Sequence, residues 1–584
     1  MGEARLAPHA VRKTERHYMP PSRPNILVIL TDDQGWGDLS VHGNTNLETP
    51  HVDSFARDGA IFERFYVCPV CAPTRAEFLT GRYHLRGGVH GVSTGEERLN
   101  LDETTIGDTF KAAGYSTAAF GKWHNGTQHP YHPNARGFDE FFGFCSGHWG
   151  QYFDAELEHN GELTRGDGFL ADEITDRAMN FMTASQDQPF FCYVPYNIPH
   201  SPFQVPDRFY DRFRDKPLEM LNLEPDKEDL EATRSALALC ENIDWNVGRM
   251  LGKLDELGIT DNTIVFYFGD NGPNGVRWNG GMKGRNGSTD EGGVRVPALM
   301  RWPGHIQPGT EITQIAGAID LLPTLSDMAG VSLVGNKPLD GVSLAPLLVG
   351  ENAEWPDRMI FSHHGRRISV RTQQHRYDTE GHLFDMIADP GQHKNIAEEN
   401  PETASIFLEA VTEWRNDVPQ KPEIEASPFP VGFPDCPTTR LPARDGVPSG
   451  NVQRSTRSPN CSYFTNWTDR GDWITWDIEV ATEGEYEAEI WYTCPETDIG
   501  STVELAFAGA CVHGKVSEAN DPPLVGEEFD RYPRSNSYVK DFKPLRLGTL
   551  HLRKRRGKLA LRAIDIPGKQ VMDVRRVMLK LLQT

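Results

Sequence analysis

The chain has 584 residues, too many for one ordinary hydrophobic core, so two or more folded units are expected. Its 38% hydrophobic content, with no low-complexity tract, is that of a soluble globular protein. A formal net charge of −24 argues against nucleic-acid binding and means that an anionic ligand needs a local cationic pocket.

Residues 1–22 are basic in part but lack an apolar h-region, so no signal peptide is visible and a disordered leader is expected. Residues 24–30 then form a short, continuous apolar run, far below the ~20 residues that span a bilayer and typical of a strand buried on both faces. Helical patterns follow over 49–59, 76–80 and 105–113, and a second strand over 116–120. Runs 189–195 (PFFCYVP) and 263–268 (TIVFYF) repeat the buried-strand pattern, with a long amphipathic helix over 232–257 between them. Alternating strands and helices predict an α/β fold, a mostly parallel sheet between helices, over residues 23–350. Short strands with turns predict a small antiparallel subdomain over 351–420. The Pro-rich stretch 421–450 reads as a linker. Over 451–584 apolar and polar residues alternate, as in Ile474-Trp476-Ile478-Val480, which predicts an appended β-sandwich. Trp467, Trp473, Trp476 and Trp491 offer either sugar platforms or core packing, and the alternating set around Trp476 favours packing. Nine scattered cysteines show no zinc-type pairing and leave the compartment open.

Chemistry concentrates where strands end. Thr31-Asp32-Asp33-Gln34-Gly35 closes the first strand, and Gly269-Asp270-Asn271-Gly272 closes the TIVFYF strand. Hard oxygen ligands of this type suit Ca2+ or Mg2+; a solvated acidic pair and an Asx turn are the plainer alternatives. Between them lies Cys71-Ala72-Pro73-Thr74-Arg75-Ala76-Glu77-Phe78-Leu79-Thr80-Gly81-Arg82.

This segment resembles the sulfatase signature C-x-P-[ST]-R-x4-T-G-R at every fixed position, and the long motif is specific. NILVILTDDQGWGD (25–38), GKWH (121–124), Pro199-His200, GDNGP (269–273) and the block from Lys283 to EGGVRVP are similar to sulfatase segments in the same order, over residues 23–399. The resemblance implies an alkaline-phosphatase-like fold. It also implies a sulfuric ester hydrolase whose Cys71 is oxidised by a maturation enzyme to formylglycine. In hydrated form one hydroxyl attacks sulfur, and collapse of the diol then expels sulfate. By the same resemblance Asp32, Asp33, Asp270, Asn271 and modified Cys71 hold Ca2+, and Arg75 orients the formylglycine. Lys122 and Lys283 bind sulfate oxygens, His124 is the base for diol collapse, and His200 protonates the leaving alcohol.

A sulfated carbohydrate is the expected substrate, and a periplasmic or secreted setting the expected location. Two blocks depart from the family: GKWH continues Asn125-Gly126, and the lysine block GGMKGRNGSTDEGG is long. Both bear on pocket shape. Within FCSGHWGQYF, Ser146 and His148 are substrate-side candidates, with aromatic loop packing the alternative. The competing functions are a formylglycine-type phosphonate or phosphodiester hydrolase and, if Cys71 stays unmodified, a silent sulfoglycan-binding protein.

Overall fold

The structure is a computed structural model describing residues 23–350, 355–419 and 427–582; the expected leader lies outside them. Its centre is a ten-stranded sheet. The parallel middle comprises β1 (Asn25–Asp32), β2 (Ser116–Lys122), β3 (Glu140–Phe144), β4 (Phe190–Pro199) and β5 (Thr263–Gly269), in spatial order β5-β1-β4-β2-β3. Ala298–Arg301 pairs antiparallel with β5, and a hairpin of Glu156–His159 and Glu162–Arg165 closes the other side beyond β3.

All eight residues of β1 are buried, because both faces of the sheet are covered. Leu27 and Ile29 join one core with Leu237, Ile243 and Val247; Ile26, Val28 and Leu30 join the other with Phe78 and Leu79. The period-two alternation thus feeds two apolar layers, each buried side chain contributing about 1.5–3 kcal/mol. One layer is supplied by helix α2 (Leu230–Glu256), whose start is capped by Asp229 accepting from the Glu231 and Ala232 amides. The other is supplied partly by helix α1 (Cys71–Thr80), every residue of which is buried.

Four antiparallel strands within residues 360–385 form the expected small sheet, covered by a helix at Pro401–Asp417 through Phe407, Val411 and Trp414. A sandwich of two antiparallel-rich sheets follows, with Trp467 and Trp476 in its core and Trp473 44% exposed.

The linker expected over 421–450 is corrected by the strands found within it. Phe429–Val431 and Val447–Pro448 pair with Trp473–Val480, and Thr438–Pro442 pairs with Asp573–Leu581. Proline-rich sequence is compatible with this because Pro430 lies in an edge strand and Pro442 and Pro448 end theirs, where no ladder N–H is required. Residues 420–426 lie outside the described residues.

The sandwich grips the α/β unit through charge. Arg576 makes a two-pronged pair with Glu156 at 2.6 and 2.5 Å, Arg440 pairs with Glu158, and Arg444 Nη2 lies 3.0 Å from Glu97 Oε1. A loop over 526–538 also crosses back. Gln204 Nε2 donates to Gly526 O (2.6 Å) and Asp530 Oδ1 (2.8 Å), and Tyr532 Oη donates to Asp229 Oδ2 (2.7 Å). Phe529 stacks on Phe153 at 4.3 Å between centroids. Among the described residues no helix is long and apolar enough to cross a membrane.

Candidate active site

Four parallel strands deliver their carboxyl ends to one place, the usual ligand position in such sheets. β1 ends in Asp32 and continues to Asp33; β5 leads into Asp270 and Asn271; β2 ends in Lys122, two residues before His124; β4 leads into His200. Helix α1 brings Cys71 at its first residue and Arg75 one turn later. Asp33 and His124 adopt left-handed backbone (φ 64° and 63°), a conformation costing about 1–3 kcal/mol for non-glycine residues, and so turn away from their strands. At Gly121 (φ 132°) a Cβ would stand 2.1 Å from Pro195 O, so only glycine lets β2 run this close to β4 before Lys122.

The charges interlock. Arg75 Nη2 and Nε reach Asp270 Oδ2 at 2.8 and 3.2 Å, and its Nη1 donates to Lys122 O at 2.6 Å. Lys122 Nζ donates to Asp32 Oδ2 at 2.7 Å. Burial is the largest influence on both cations and disfavours their charge, but the surrounding anionic groups together, led by Asp270 for Arg75 and Asp32 for Lys122, more than offset it, so both stay charged. Burial, then Asp32, pushes the Asp270 carboxyl up, against the pull of Arg75 and Lys122. Asp33 Oδ1 accepts from Asn271 Nδ2 and Asn286 Nδ2, both at 2.6 Å. Three buried oxygens, Asp32 Oδ1, Asp33 Oδ2 and Asn271 Oδ1, have no hydrogen-bond partner among the described residues. One ligand atom each from Asp32, Cys71 and Asp270 lie within 4.8 Å of one another. Orphaned buried acceptors around excess carboxylate fit a hard divalent cation.

Cys71 is 8% exposed and burial pushes its thiol up to about 12, so the unmodified side chain is a protonated, weak nucleophile. His124 Nε2 lies 2.8 Å from Val92 O, an acceptor only, so that nitrogen carries the proton and the buried, unpartnered Nδ1 holds a free lone pair. Burial, with Lys122, drives its pKa well down and keeps it neutral. His200 Nδ1 donates to Ser201 O at 2.6 Å while Nε2 stands 3.6 Å from Asp33 Oδ2.

The remaining expected residues are Lys283, Ser146 and His148. Lys283 is 53% exposed, with Nζ 3.9 Å from Asp290 and 6.0 Å from the Phe384 ring centre. Ser146 Oγ accepts from Arg444 Nη1 at 3.1 Å, which ties it to the sandwich. His148 packs its ring 5.1 Å from that of His200. Sequence reasoning missed Asn286 and also Arg277, whose Nη2 donates to Asp33 O at 3.0 Å while the guanidinium pairs with Asp38. The GRNGS loop was a signal for Asn286; nothing local marked Arg277.

Glu77 on α1 is buried with no cation paired to it among the described residues, and burial pushes its carboxyl from 4.5 up to about 8. Its folded value is raised, so its stabilising contribution is full below 4.5 and is lost as pH rises through about 8. Glu77→Gln therefore raises the melting temperature relative to the parent at pH 9 and not at pH 4.5; parallel Tm–pH curves contradict this.

A cysteine at the start of a helix thus faces the acidic exits of a mostly parallel sheet, the arrangement of a hydrolytic site. The family model described as "Sulfatase" matches residues 24–331, and that described as "N-sulphoglucosamine sulphohydrolase, C-terminal" matches 289–415. N-acetylgalactosamine-6-sulfatase of Homo sapiens is 32% identical over 75% of this chain and 79% of its own. Steryl-sulfatase of Mus musculus is 29% identical over 58% and 67%. The solved structure of Ps i-CgsB in complex with k-i-k-neocarrahexaose superposes with a TM-score of 0.63 at 28% identity, covering 70% of this chain and 95% of that one. The chain belongs to the sulfatase family and is a sulfuric ester hydrolase.

Proposed function

We propose that the protein removes sulfate from a sulfated carbohydrate in an exported setting, using a formylglycine made from Cys71 by a maturation enzyme and a bound Ca2+. The observation that carries this reading is the acidic cluster, in which Asp32 and Asp270 each offer an oxygen within 4.8 Å of the Cys71 sulfur and buried oxygens of Asp32, Asp33 and Asn271 accept no hydrogen bond among the described residues. Support for the carbohydrate comes from the names of the galactosamine-sulfatase relative and the neocarrahexaose complex. Asp32, Asp33, Asp270 and Asn271 would hold the ion; Mg2+ suits the same donors. When bound, the two groups supply Lewis acidity at the sulfate and a nucleophilic hydroxyl at position 71.

The chain's own residues do the rest. Arg75 anchors Asp270 and fixes helix α1 against the Lys122 carbonyl, so that position 71 points at the acidic exits. Lys122 gives the sulfate a buried positive neighbour. His124 Nδ1 takes a proton from the hydroxyl at position 71, and His200 Nε2 passes one to the leaving alcohol. Lys283 contributes only after leaving Asp290.

The mass of the peptide across 65–75 reports maturation, and rates on p-nitrophenyl sulfate and phosphate report reaction class. Sulfate release falls at least about a hundredfold on exhaustive chelation and returns with Ca2+. Full activity after chelation, or faster phosphate hydrolysis, overturns the proposal.

A further inference from the structure

The sandwich loop forms one wall of a cleft that opens beside the site. The cleft, of about 410 Å3, is lined by Ser201, Asn274, Arg277 and Arg285 from the catalytic unit and by Tyr532 and Arg534 from the sandwich, among others. Its inner end adjoins the acidic exits. Ser201 follows His200, Arg277 bonds the Asp33 carbonyl, and Arg285 precedes Asn286, which bonds the Asp33 carboxylate. A second cleft of about 490 Å3, reaching Lys283 and His393, shares Gly275, Val276, Arg277 and Arg285 with the first. The two clefts thus adjoin along this shared stretch.

The charge of this groove opposes that of the protein. On a chain of net −24, the first cleft's wall carries Lys227, Arg277, Arg285 and Arg534 against the single carboxylate of Asp229. That carboxylate is already spent on the α2 cap and on Tyr532. Arg277 is spent on Asp38, and Lys227 on Glu224. Arg534 is only 10% exposed. Its Nε donates to Asp530 and its Nη1 to Gly150 O, but its buried Nη2 has no acceptor among the described residues. Arg285 is exposed, and its guanidinium makes no hydrogen bond or ion pair among the described residues. The exposed Ser535 and Asn536 stand on the same wall as Arg534 and offer polar groups to sugar hydroxyls.

We propose that this cleft is a subsite for a second anionic group, a sulfate or a uronic carboxylate, on the same saccharide. Arg285 faces that group, and the sandwich loop 532–536 forms the opposing wall. This rests on the sulfatase reading and narrows its substrate class to saccharides carrying at least two negative groups. A planar guanidinium fork suits either oxyanion, so the two sources must be separated by experiment.

The test is equilibrium binding by calorimetry to the full-length Cys71→Ala chain, which cannot turn substrate over. Three oligosaccharides of one backbone are compared: monosulfated, disulfated, and monosulfated with a uronate. At least one doubly charged ligand should bind about tenfold or more tightly than the monosulfated one, and whichever does so identifies the source. Arg285→Ala should reduce that preference below about threefold, and Ser535→Ala/Asn536→Ala should weaken all three ligands. Equal affinities for the three, no binding at all, or a preference that survives Arg285→Ala overturns the subsite. Sulfate release by the matured parent from p-nitrophenyl sulfate is measured alongside, so failure of the sulfatase reading shows separately.

Discussion

Cys71→Ala eliminates sulfate release, by at least about 10^4-fold, from p-nitrophenyl sulfate and from sulfated oligosaccharide alike. The fold survives the change. Cys71 is a small side chain at the first position of α1, and the anchors of that helix lie elsewhere: Thr74 Oγ1 donates to Asp270 O at 2.6 Å, and Arg75 holds Asp270. Losing one buried sulfur costs about 1 kcal/mol, a few degrees in melting temperature at most. Under the proposed formylglycine chemistry Cys71→Ser gives the same result, because a simple hydroxyl lacks the second oxygen through which sulfate would be expelled. Initial rates and thermal melts on the three proteins decide it. Residual activity within tenfold of the parent would remove position 71 from the chemistry.

Arg75→Met destabilises the protein by about 3–5 kcal/mol, the scale for breaking a buried ion pair from one side. Its guanidinium is fully buried, and the variant leaves Asp270 facing Asp32 with Lys122 as the remaining cation of the cluster. Packing is nearly conserved, so the loss reports charge and hydrogen bonds rather than a cavity. Millimolar Ca2+ should recover part of the loss, since it restores positive charge to the same carboxylates. Urea unfolding with and without Ca2+ measures both quantities. A loss below about 1 kcal/mol, or one indifferent to Ca2+, contradicts the arrangement of charges described for this cluster.

The parallel strands were readable because both faces of the sheet are covered, which leaves continuous apolar runs such as residues 25–30 and 263–268. The strand-end carboxylates and the Cys71 segment were readable as local strings. What escaped was set at a distance. Arg277 meets Asp33 across 244 positions and Asn286 meets it across 253, and neither pairing leaves a trace in neighbouring residues. The Pro401–Asp417 helix exposes much of its surface and buries only Phe407, Val411 and Trp414, too sparse a stripe to stand out. The Ser146 hydroxyl accepts from Arg444, a partner that sequence order places 298 residues away. Trp476 packs in the sandwich core, in keeping with its alternating neighbours.

Glu97, Glu156 and Glu158 take their arginine partners from Arg444, Arg576 and Arg440 of the sandwich. A gene fragment ending near residue 419 would ship these three acids with their counter-ions missing and the face beside His148 stripped bare. The C-terminal unit is thus no interchangeable cassette.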